Sequence, residues 1–171
     1  FITSLLVVQM LPLSALIIPL FLLLTKLQLT NKIGGLAITY VAFILPFTIW
    51  TLRGFLANIP VDIEEAALVD GCTRFQAYRH VLMPLMAPGL VATAIFAFIQ
   101  AWNEFLLAYI IMQSQDNLTL PVWLAGFTTR TGTDWGPLMA ASTVVALPVV
   151  IFFSLIQKRI ATGVTSGAVK G

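Results

Sequence analysis

The side chains able to do chemistry gather in two places. The stretch Pro60–Pro88, PVDIEEAALVDGCTRFQAYRHVLMPLMAP, is the one long polar interruption in an otherwise apolar chain; it holds Asp62, Glu64, Glu65, Asp70, Arg74, Arg79 and His80, with Arg53 just upstream. Its charges suit a water-facing docking surface. Inside a later apolar block, Gln100, Asn103 and Glu104 are spaced i, i+3, i+4, with Thr93 two turns earlier, so a continuous helix would put them on one face. Amides and carboxylates there can hydrogen-bond a hydroxylated solute, or they can join helices through buried hydrogen bonds and touch no solute. Both readings stand on the sequence alone. Catalysis has no visible home: G-x-x-x-x-G-K-[ST], H-E-x-x-H and G-x-S-x-G are absent. A lone histidine, His80, and a lone cysteine, Cys72, cannot build a metal cluster by themselves. We therefore expect no catalytic residue, no metal site and no cofactor bound by this chain.

The polar stretch must be positioned by short helices. Asp62 can cap a first one, with Glu65 three residues later answering its backbone N–H, and Thr73 with Gln76 can do the same for a second. Gly71 lies between them, where a helix end wants a residue tolerant of a left-handed backbone. Pro84 and Pro88 lack the N–H groups that would continue the second helix undisturbed. These signals predict a compact elbow over residues 60–84. Ala66, Ala67 and Gly71 would give it a smooth face for another protein's backbone, ringed by Glu64, Glu65 and Asp70. Cys72 reads as a small packing residue, and His80 as a solvated or headgroup-facing one.

At 59% hydrophobic and 9% charged residues, with a mean hydropathy of +0.97, the chain falls in the membrane class. Its net charge of +2 is too small and scattered to suggest nucleic acid. Four apolar blocks are long enough for the roughly 20 helical residues a bilayer core requires: about 1–24, 33–52, 87–112 and 137–156. Prolines within them predict an all-α bundle, in which neighbouring helices satisfy the freed carbonyls. Gln9 and Ser14 in the first block are minor path candidates, and Ser142 with Ala146 gives the fourth a small-xxx-small face. Gly34-Gly35 marks a tight turn between the first two blocks. The longer loop over 113–136 contains an apolar piece, Leu120 to Phe127, suited to a short interfacial helix. That loop could meet a substrate-delivering protein or merely cover the bundle's end.

Basic residues orient the bundle. Arg53, Arg74, Arg79, Lys158, Arg159 and Lys170 fall on the side of the elbow and tail, against Lys26, Lys32 and Arg130 opposite; positive residues collect in the cytoplasm, so the elbow and C-terminus are expected there. Trp50 suits the inner interface, Trp123 and Trp135 the outer. The tail over 161–171, ATGVTSGAVKG, has no apolar stripe and reads as a flexible cytoplasmic terminus. The chain opens at Phe1 inside a hydrophobic run without an initiating Met or basic stretch, so a signal peptide is not expected and further sequence upstream is.

Glu65-Ala66-Ala67, then Asp70-Gly71, a spacer, and Leu82-Met83-Pro84 followed by Pro88 resembles the EAA motif of the permease subunits of bacterial ABC importers. Trp102-Asn103-Glu104-Phe105 and the Gly167-Ala168-Val169-Lys170-Gly171 tail resemble the maltose-type carbohydrate permeases, the tail departing from their Gly-Gly-Val-Lys-Gly-like run by Ala168. The resemblance implies a single polytopic permease domain, all-α, with two further spans upstream and a cytoplasmic coupling helix that docks in a cleft on the ATPase. It makes Glu64, Glu65, Ala66, Ala67, Asp70, Gly71, Arg74 and Pro84 the coupling residues and leaves Gln100, Asn103 and Glu104 as translocation-path candidates, the principal sugar site being one that the sister subunit can hold instead. The implied partners are a homologous permease, two ATPase subunits carrying ATP and Mg, an extracytoplasmic solute-binding protein and a sugar. Three rivals remain: a permease for an amino acid, peptide or ion; an ion-coupled secondary transporter that uses Glu104 as its proton carrier; and an intramembrane enzyme, disfavoured by the absent nucleophile–base pair.

Overall fold

A computed structural model describes residues 10–168, with side chains through Ser154. In chain order the helices are α1 Leu13–Lys26, α2 Ile33–Ala57, α3 Val61–Val69, α4 Arg74–Ala77, a π-helical turn Tyr78–Leu82, α5 Met83–Trp102, α6 Leu106–Ile111, α7 Leu120–Ala125 and α8 Trp135–Ala168; a small ribbon, β1 Thr128–Thr129 with β2 Gly132–Thr133, precedes α8. The fold is all-α, as expected. Among the described residues three helices are long and apolar enough to cross a membrane: Ile33–Ala57, Arg74–Trp102 and Trp135–Ser154. The 14 residues of α1 would reach about 21 Å at 1.5 Å per residue; the rest of the first expected block, with Gln9, lies outside the described residues.

Several boundaries differ from expectation, each for a local reason. The third span does not run from Ala87 to Met112. It begins at Arg74, because α4, the π turn and α5 form one continuous helix, and it stops at Trp102. Neither Pro84 nor Pro88 ends it. Ahead of Pro84 the Met83 N–H bonds to the Tyr78 carbonyl, five residues back, so the ladder widens by one residue where the proline has no N–H to give. Gly34 and Gly35 lie inside the first turn of α2; the reversal is made instead by Gln28 and Asn31, with φ of 54° and 55°. Gly35 is needed for proximity, since a Cβ there would run into the Leu29 carbonyl oxygen. In the tail, α8 continues as helix to Ala168, each further residue adding a backbone bond once the helix is nucleated; residues 169–171 fall outside the described part.

The chain divides into two units. One comprises residues up to Pro46 together with Phe98–Phe152. Its core is Leu24, Leu36, Leu107, Ala108, Ile111, Met112 and Val122, with Tyr40 and Phe43 packed against it. Loop segments are tied to this core by Asn31. Its N–H donates to the Ile111 carbonyl (2.8 Å), and its Oδ1 accepts from Gln113 N (3.1 Å), Ser114 N (3.0 Å) and Ser114 Oγ (3.0 Å). The expected short helix in the 113–136 loop is α7, and the ribbon beyond it pairs Thr128 with Thr133 and Thr129 with Gly132.

The other unit comprises Phe47–Ala97 and the chain from Phe153 onward. Here the Phe47 and Phe96 rings lie 4.1 Å apart, and Phe55 covers Gly89 so closely that a Cβ would meet its ring at 2.5 Å. Buried Thr93 is satisfied by its own helix, donating to the Gly89 and Leu90 carbonyls.

Candidate functional site

The elbow is assembled by backbone signals of short range. Pro60, with no side-chain cap, precedes α3; the expected Asp62–Glu65 box does not form, because Asp62 is already inside the first turn. There it still favours the helix, as an acid near the positive end of the dipole. The other end of α3 closes as a Schellman motif: Gly71 N donates to Leu68 O (3.1 Å) and Cys72 N to Ala67 O (3.0 Å), with Gly71 at φ +89°. Two residues later the expected capping box is present, Thr73 and Gln76 each holding the other's backbone N–H.

Packing then divides the elbow into an inner and an outer face. Ala77 is fully buried and Ala67 nearly so, and α3 packs on α4 and the π turn. Ala67 is therefore part of the elbow's own core, and the smooth outer face expected of Ala66, Ala67 and Gly71 keeps only Ala66 and Gly71. Glu65, Asp70, Arg74 and Pro84 are exposed, as is His80, and Glu64 is half-buried. Sequence reasoning missed the apolar members of that face. Val69 is 87% exposed and Phe75 69%, one on each side of the Gly71 turn. Their signal was available: an aromatic and a β-branched residue inside the most polar stretch of a greasy chain. The face thus combines apolar contact area with both signs of charge, a composition suited to binding protein.

At the second cluster the expected shared helical face is not formed. The helix ends at Trp102, so Asn103 and Glu104 lie in a break, and Gln100 is exposed on the last turn of α5. Asn103 Nδ2 donates back to the Ile99 carbonyl (2.9 Å), a local bond that competes with helix continuation. Glu104 starts the next helix: Oε1 accepts from Leu107 N (2.7 Å), and Oε2 accepts from Ala108 N (3.0 Å) and from the Tyr40 hydroxyl (2.9 Å). Three donors thus engage one half-buried carboxylate. Trp102 packs on Phe98 (5.3 Å between centroids), and Phe98 on Phe152 (4.4 Å). Its indole N–H has no partner among the described residues. Trp102 and Asn103 line an open groove of about 360 Å³ with Ser142 and Ala146.

Over residues 3–166 the chain matches the family described as binding-protein-dependent transport system inner membrane component. It is 44% identical over 171 residues to the diacetylchitobiose uptake system permease protein DasC of Streptomyces coelicolor, which covers 100% of this chain and 62% of that protein. It is 42% identical over 168 residues to the trehalose transport system permease protein SugB of Mycobacterium tuberculosis (97% and 61%), and 38% identical over 164 residues to the trehalose/maltose transport system permease protein MalG of Thermococcus litoralis (95% and 59%). The chain spans about three fifths of the length of these relatives.

Proposed function

Because the chain belongs to the binding-protein-dependent inner membrane transport components, we propose that it forms half of the translocation pathway for a sugar in an ATP-driven importer, with the elbow as its grip on the ATPase. The three relatives are named for uptake of diacetylchitobiose, trehalose and maltose, which supports a carbohydrate cargo over an amino acid, peptide or ion. ATP and Mg reside on two partner ATPase subunits, a homologous permease completes the passage as a heterodimer, and an extracytoplasmic binding protein delivers the solute. The elbow and C-terminus face the cytoplasm, as the distribution of basic residues favours.

The observation that carries this reading is the construction of the elbow. Gly71 and the Thr73–Gln76 box lock a turn whose outer face bears Val69, Phe75, Glu65, Asp70 and Arg74. From that turn a single helix runs unbroken from Arg74 to Trp102. This rod of 29 residues, about 43 Å at 1.5 Å per residue, joins the elbow directly to a candidate span. Sealing of the ATPase dimer draws the elbows together and turns the passage outward; hydrolysis resets it. Glu104, the proton carrier of the ion-coupled alternative, is instead engaged as an acceptor of three hydrogen bonds, two from backbone N–H groups at a helix start and one from the Tyr40 hydroxyl.

The test is reconstitution of the intact complex in proteoliposomes with its binding protein. Uptake of labelled maltose, trehalose or diacetylchitobiose should require enclosed ATP. Accumulation driven by an imposed proton gradient without ATP would sink the reading.

A further inference from the structure

An open cavity of about 860 Å³ lies beside the loop that follows α6. We propose that it is a sugar-contact site of this subunit, in which Phe105 and Tyr109 present a flat face to a pyranose ring and the amides of Gln113 and Gln115 meet its hydroxyls. The inference rests on the sugar-importer reading and goes beyond it, because these are neither the residues of the elbow nor the Gln100, Asn103 and Glu104 set.

Four observations support it. Phe105 and Tyr109 are stacked, with centroids 5.5 Å apart and planes 20° from parallel. Both remain open to the cavity side, Tyr109 being 60% exposed and Phe105 38%. Beside them stand hydrogen-bonding groups of the neutral kind, Gln113, Gln115 and Thr128, with no charged residue in the lining. A sugar has an apolar C–H face and a rim of neutral hydroxyls, so aromatic plates beside amides match it, whereas an ionic solute would leave its charge unanswered.

The wall is also held in place in advance. Met112 and Val122, which line the cavity, belong to the buried core, and Gln113 N is pinned by Asn31 Oδ1. Glu104 fixes the start of α6 and with it the spacing of Phe105 and Tyr109. Ordering costs on binding are correspondingly small.

Saturation-transfer NMR on the detergent-solubilised complex, without its binding protein, reads the contact directly, with maltose, trehalose and diacetylchitobiose as probes. At least one should receive magnetisation, and Tyr109→Ala should weaken its affinity about three- to tenfold, the range expected for one aromatic contact. Tyr109→Leu, which keeps apolar bulk for assembly, should weaken it similarly, and Tyr109→Phe should restore it to within about twofold. Gln113→Ala and Gln115→Ala should each weaken it further. If the wild type takes up one of the sugars with ATP but its NMR affinity is the same in Tyr109→Ala and Tyr109→Leu, this site is wrong and the importer reading survives. Should the wild type take up no sugar with ATP, both fall. Were the Tyr109 variants instead to weaken docking of the sugar-free binding protein with sugar affinity unmoved, the cavity would be a protein contact and the proposal overturned.

Discussion

Two helix interruptions, four and three residues long, illustrate two ways of ending a helix in this chain. At residues 70–73 short-range contacts do the work: a left-handed glycine, two carbonyls recaptured by the Schellman bonds, and the Thr73–Gln76 capping box all fall within residues 67–76. At residues 103–105 side chains do it: Asn103 turns back to Ile99, and Glu104 draws in Leu107, Ala108 and the hydroxyl of Tyr40, a residue 64 positions away. The first interruption is self-contained and can be presented to a partner as a finished surface. The second adds to its local bonds one from a distant part of the chain, so it also reports on the packing of its own unit.

The largest expected effect tests the self-contained character of the first. A Cβ at Gly71 would meet no atom within 4 Å, yet φ is +89°, so Gly71→Leu is strained by the backbone and not by crowding, at about 1–2 kcal/mol. The protein should still reach the membrane. Its new side chain, however, would stand on the elbow's outer face, and if that face docks the ATPase as proposed, ATP-dependent uptake should fall more than about tenfold, as the loss of roughly 1.4 kcal/mol or more of coupling would produce. Gly71→Asn, which tolerates the left-handed region, separates strain from obstruction. Wild-type uptake by Gly71→Leu would remove the elbow's outer face from the coupling role.

Next comes Glu104→Ala, which should lower the stability of the purified complex by about 3 kcal/mol, because three donors lose their acceptor at once. Glu104→Gln keeps one good acceptor and should lose about 1 kcal/mol. Thermal unfolding in detergent measures both. A solute-lining role without structural duty predicts the opposite ordering of readouts, with unfolding unmoved and solute selectivity altered.

The difference between the two interruptions also explains how much was legible in the sequence. The elbow's existence, its Gly71 turn and the Thr73–Gln76 box follow from residues a few positions apart, and the apolar blocks follow from hydropathy. Pro84 misled because a single widened turn can absorb a missing N–H, and that adjustment leaves no mark in composition. Ala67 misled because smallness serves a buried contact as well as an open one. The i, i+3, i+4 spacing of Gln100, Asn103 and Glu104 was real, but it presupposed a helix that Asn103 and Glu104 themselves interrupt. Asn31 was invisible for the purest form of this reason: its partners are Gln113 and Ser114, 82 and 83 residues on.

Asn31 sharpens the comparison from the side of the distant contacts. Asn31→Ala removes the acceptor of Gln113 N and Ser114 N and puts an alanine at φ 55°, so about 2 kcal/mol should be lost. Asn31→Gly relieves the backbone alone and Asn31→Asp preserves the acceptor, which apportions the loss between the two causes. If Asn31→Gly were as stable as wild type, the hydrogen bonds would be replaceable by water and the clasp on the 111–117 segment would be incidental.

The smallest effect belongs to the most legible feature. Thr73→Ala deletes half of the capping box on an exposed turn, which typically lowers stability by about 1 kcal/mol, and Thr73→Ser should recover most of it. The helix that Thr73 begins is the one that reaches Trp102, and its remaining turns keep it formed without the cap. Fraying should therefore stay within the first turn, at Arg74 and Phe75, where amide exchange will detect it. Uptake should decline only about twofold, since the outer face of the elbow loosens but is not removed. A loss as deep as that of Gly71→Leu would instead mean that the elbow behaves as one cooperative piece with the rod behind it, and the distinction between a locally finished turn and a remotely supported break would no longer hold.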